Sequence, residues 1–72
     1  MKEYIIVEFE ELREVTIDEA PSGYKTGDVI EIGGCTHTIG LEGEKNYLPL
    51  EQDINPSDTS QILPFKVYFS KG

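Results

Sequence analysis

Two short apolar–polar alternations flank Gly33-Gly34, and they constrain the fold more than any other stretch. Val29-Ile30-Glu31-Ile32 precedes the glycines, and the segment Cys35 to Leu41 follows them. A period of two marks strands with one buried face. Consecutive glycines supply the two positive φ angles that a type I′ hairpin requires. A two-residue loop then sets the register. Ile32 opposes Cys35, Ile30 opposes His37, and Asp28 opposes Ile39. The core face carries Ile30, Ile32, Cys35, His37, Ile39 and Leu41.

Similar patterns recur along the chain. Residues 3–9 read as a strand with Ile5, Val7 and Phe9 on one face. Glu10-Glu11 marks a bend, and the β-branched run Val15-Thr16-Ile17 places a second strand over 12–18. Ala20-Pro21-Ser22-Gly23 is a turn cluster, which leaves Tyr24 in a loop. Residues 45–50 form a further strand, at an edge because Pro49 cannot donate to a ladder. Residues 51–61 are polar and loop-like, with a helix-start signature at Asn55-Pro56-Ser57-Asp58. The last strand spans 65–70, with Phe65, Val67 and Phe69 inward and Lys66 and Tyr68 outward.

The fold expected is all-β. It is a small partly open barrel of SH3-like size, or a compact sandwich, with five to six short antiparallel strands. At most one short helical turn forms, near 56–61. The 72 residues make one domain, 1–72. A chain of this size buries about 60% of the surface its unfolded form exposes. Function is therefore expected on a surface, groove or strand edge rather than in a deep pocket.

Fourteen acids against six bases give a net charge of −8. Such a charge repels nucleic acid and anionic lipid, so neither is an expected partner. Residues 1–19 hold seven of the acids against two bases. If their strands pair, Glu8, Glu10, Glu11 and Glu14 form an acidic ridge suited to a basic protein. Tyr24 and Tyr68 add a side chain enriched at interfaces. The single cysteine excludes an internal disulfide and favours a reducing, cytoplasmic setting. No stretch approaches the roughly 20 apolar residues of a membrane span, and Tyr4–Val7 is too short for the apolar region of a signal peptide.

Chemistry-bearing motifs are few. Cys35 and His37 share a predicted strand face, which separates their Cβ atoms by about 6–7 Å. A thiol–imidazole pair needs about 3 Å between heteroatoms and a third group to orient the base. The expected roles are a small core residue for Cys35 and a core-margin residue for His37. No nucleotide-binding, metalloprotease or nucleophile-elbow pattern occurs, and Asp53, Asn55 and Asp58 lack the spacing of a calcium loop. No catalytic residue, cofactor or metal is expected.

The leading expectation is a non-enzymatic protein-binding module. It acts through an exposed strand edge or an acidic, tyrosine-bearing surface at Glu8, Glu10, Glu11, Glu14, Tyr24 and Tyr68. One alternative is a phage- or mobile-element-type inhibitor that occludes a basic nucleic-acid-binding site. Another is a small structural subunit, and self-association stays open.

Overall fold

Tyr4-Ile5-Ile6-Val7 forms the strand on which the molecule is organised. The computed structural model describes Met1–Gly72, and strand β1 (Lys2–Glu8) runs through the middle of a three-stranded sheet. Ile5 and Val7 point inward with no exposure. Tyr4, Ile6 and Glu8 point outward and are half-buried.

Eight further strands follow: β2 (Glu14–Ile17), β3 (Ala20–Lys25), β4 (Val29–Gly33), β5 (His37–Leu41), β6 (Tyr47–Leu48), β7 (Gln52–Ile54), β8 (Phe65–Tyr68) and β9 (Ser70–Lys71). The first sheet has the order β4-β1-β8, the second β3-β2-β5-β7, and β6 and β9 make a small third. The inner faces of the two larger sheets enclose the core. Ile5, Val7, Ile30, Ile32 and Val67 come from the first, and Val15, Ile39, Leu41 and Ile54 from the second. Tyr47 and Phe69 close the remaining side. The all-β architecture is as expected, and its form is a small sandwich. No helix is long and apolar enough to cross a membrane.

Several local expectations are overturned. The strands number nine, because β3 forms over the expected turn cluster, the last strand divides into β8 and β9, and the polar stretch after Leu50 contributes β7 and buries Ile54. One pairing is parallel: Ile5, Ile6, Val7 and Glu8 lie beside Phe65, Lys66, Val67 and Tyr68. Residues 56–61 form no helical turn. Pro56 is buried and Asp58 has a φ of 56°, which ends right-handed helical geometry. Phe65 is 42% exposed although its row is inward, because it lies at the strand's end.

The largest correction concerns Gly33-Gly34. β4 pairs with β1, while β5 pairs with β2 and β7, so no hairpin joins β4 to β5. Ile30 and Ile32 meet Ile39 and Leu41 across the sandwich rather than side by side. Gly34 serves a close approach instead. Its N–H donates to the Met1 carbonyl at 2.8 Å, and a Cβ there would sit 3.1 Å from that oxygen. The two-residue hairpin lies elsewhere. Asp18 and Glu19 have φ of 53° and 67°, the paired positive angles of a primed turn, and they join β2 to β3. Ala20-Pro21-Ser22-Gly23 is therefore strand rather than turn, and Pro21 sits on an edge strand where its missing N–H costs least. Tyr24 lies on that strand too, not in a loop.

Candidate functional site

The outer face of the β4-β1-β8 sheet gathers side chains that the core does not use. Register places Glu31 beside Tyr4 and Val29 beside Ile6 on one flank. On the other flank it places Lys66 beside Ile6 and Tyr68 beside Glu8. Tyr24 joins the first flank, where it lines a shallow depression of about 390 Å³ with Tyr4, Val29, Glu31 and Gln61. Tyr68 is 60% exposed, Val29 41% and Tyr24 37%. The strand spacing spreads this face over about 10 Å. Its charges partly cancel, since Lys2 lies 3.6 Å from Glu31.

Three of the residues expected from sequence thus belong to this region: Glu8, Tyr24 and Tyr68. The other three do not extend it as a ridge. Glu10 is exposed in the bend after β1. The Glu11 carboxylate accepts from Lys71 at 2.6 Å and from Arg13 at 3.4 Å. The Lys71 hydrogen bond, followed by the charges of Lys71 and Arg13, holds the Glu11 carboxyl below its ordinary value, and Lys71 is raised in return. Glu14 accepts from the Gly23 N–H at 3.1 Å, inside the β2–β3 hairpin.

Two anchors escaped the sequence reading. Glu3 is buried at 5% exposure. It accepts from the Thr59 hydroxyl at 2.6 Å and the Thr59 N–H at 3.0 Å, and these bonds lower its pKa. Thr59 also accepts from the Tyr4 N–H at 2.7 Å, so the 57–64 segment is pinned to the end of β1. Arg13 donates to the carbonyls of Glu42 and Glu44 and to Asn46 Oδ1. Its guanidinium also stands 5.9 Å and 5.6 Å from the ring centres of Phe9 and Tyr47.

A second constellation lies at the turn end of the β2/β5 pair. Cys35 is exposed, not a core residue. The chain leaves extended geometry before β5, with the Cys35 N–H bonded to the Gly33 carbonyl at 2.9 Å. This brings Cys35 Sγ to 3.2 Å from His37 Nε2. His37 Nε2 is also 3.1 Å from the Gly33 carbonyl. On its other side, His37 Nδ1 is 2.8 Å from Asp18 Oδ2. Asp18 is placed by the primed turn, and its Oδ1 accepts from the Thr38 N–H at 3.0 Å. The His37 hydrogen bond, then the Thr38 one, lowers the Asp18 carboxyl below its ordinary value. The separation expected from strand spacing fails because Cys35 is not in the strand.

Comparison of the chain with protein-family models, curated proteins and solved structures finds no match.

Proposed function

We propose that this chain is a small, non-enzymatic protein-binding module. The outer face of the β4-β1-β8 sheet docks on an apolar segment of a basic partner protein. The carrying observation is the set of side chains at Tyr4, Tyr24, Val29 and Tyr68, which face away from a core already filled by other residues. Aromatic side chains with a polar tip bury large area at low entropic cost, which suits the centre of an interface. The net charge of −8 repels a second copy and attracts a cationic partner. A cytoplasmic location fits the single unpaired thiol.

Occlusion of a nucleic-acid-binding site through a carboxylate ridge has less support. Glu3, Glu11, Glu14 and Asp18 are bonded within the chain. The test is capture of a partner by the immobilised chain, its identification, and measurement of the purified pair. Tyr68→Ser and Tyr24→Ser should each weaken the complex at least about tenfold, as loss of a central aromatic anchor does. Leu50→Ser, on the opposite sheet's depression, should leave it unchanged. Binding that ignores both tyrosines and collapses between low and high salt would replace this reading with the carboxylate one.

A further inference from the structure

We propose that Cys35 is a reactive thiol, primed by His37 and Asp18 to form a mixed disulfide with small disulfide molecules. The site is independent of the tyrosine face and stands or falls separately from it.

The arrangement is that of a nucleophile, a base and an orienting acid. Asp18 is held as a carboxylate, an acceptor only, so His37 Nδ1 carries the hydrogen of the 2.8 Å contact. In the neutral ring the lone pair is then on Nε2. Two groups face that nitrogen: the Gly33 carbonyl at 3.1 Å and Cys35 Sγ at 3.2 Å. A carbonyl cannot donate, so the cysteine S–H is the hydrogen that Nε2 accepts. When the proton crosses to Nε2, the new N–H lies between the thiolate and the Gly33 carbonyl. The carbonyl gives the transferred proton an acceptor that the neutral pair leaves unused. Position completes the case. The His37 side chain is only 13% exposed, held between the turn and the strand, while Cys35 is open to solvent.

Exchange with a disulfide balances without a further oxidant. The Cys35 thiolate attacks one sulfur of R–S–S–R, a new S–S bond forms, and the original one breaks. The leaving thiolate takes a proton from the His37 imidazolium or water. Neither surface depression includes Cys35, so an open, small reagent such as glutathione disulfide is the fitting class. Other charges around the site are Glu3 and Lys2 from β1, next to Gly34 and Gly33, and Asp53 from β7, which accepts from Thr38 Oγ1.

The test follows thiolate release from an aromatic disulfide reagent, and mass gain with glutathione disulfide, on the full chain. At pH 7 the folded chain should react about tenfold faster than the same chain in urea, as expected when a positioned base takes the thiol proton during attack. His37→Gln should remove that advantage. Asp18→Asn should keep the fold while its rate profile moves toward higher pH. Circular dichroism distinguishes a lost fold from a lost base. If His37→Gln unfolds, the wild-type pH–rate profile decides alone. A rate sustained below pH 7 supports the proposal, and one that rises only toward about pH 8.5 overturns it. Equal rates for folded and unfolded wild-type chain would also overturn it.

Discussion

The molecule has two sets of aromatic side chains, and they are treated oppositely. Phe9, Tyr47 and Phe69 meet edge to face, with ring centres 6.1 Å and 5.4 Å apart, and the Arg13 guanidinium lies over Phe9 and Tyr47. Tyr47 is 1% exposed, and its hydroxyl donates to the Leu41 carbonyl at 2.8 Å and accepts from the Leu41 N–H at 3.2 Å. It replaces a stretch of sheet ladder at the end of β5. Tyr4, Tyr24 and Tyr68 lie on the far side of the first sheet, partly open to water. The first set fastens the loops between sheets. The second lies outside the core cluster, and it is the set on which the proposed docking rests.

Four measurements would break or sharpen this contrast. Tyr47→Ala should cost about 3–5 kcal/mol, the usual penalty for emptying a buried aromatic site. Urea denaturation should then find the chain largely unfolded, because so small a core has few kcal/mol to lose. Tyr47→Phe isolates the hydroxyl. It leaves two buried backbone groups of Leu41 without their partner and should cost about 1–3 kcal/mol. Acid should act on three separate carboxylates. Glu3, Glu11 and Asp18 have carboxyls lower in the fold than their ordinary values. Their stabilisation is complete above the ordinary carboxyl values, from about pH 5 upward, and is lost as pH falls through the lowered values. The thermal midpoint should be flat near neutrality and decline below about pH 5, with the Thr59 segment over β1 loosening as Glu3 protonates. Lys71, raised by Glu11, behaves oppositely, losing its contribution only at strongly alkaline pH. Smallest in stability is Tyr68→Ser, expected within about 0.5 kcal/mol, yet with a measurable loss of partner. A large destabilisation there would erase the distinction between the two sets.

The inward rows of this fold were legible in the sequence. Ile5, Val7, Ile30, Ile32, Ile39, Leu41, Val67 and Phe69 are all buried where alternation places them. Alternation is a local property of an extended chain, and it survives whichever strand lies alongside. Partner choice is not local, so β4 and β5, assigned to each other by Gly33-Gly34, went to opposite sheets. The primed turn at Asp18-Glu19 carried no glycine to announce it. Ile54 stood alone in a polar stretch, and one buried residue makes no period. The site was partly legible. Outward-facing Tyr68 was evident from its row, whereas the ties of Glu11 depend on Lys71, 60 positions away. The contact of Cys35 with His37 depended on a departure from extended geometry that no spacing rule contains.

The parallel pairing of β1 with β8 governs how the chain reaches its fold. Residues roughly sixty positions apart become neighbours, so the central strand is synthesised well before β8 and receives that partner late. Until then one margin of Tyr4-Ile5-Ile6-Val7, a run with the traits of self-associating segments, is unprotected. Long-range closure of this kind is slow for a chain's length. While β8 is undocked that margin is open to pairing with another chain, so shortening the interval is a route to a better-behaved molecule distinct from deepening the core.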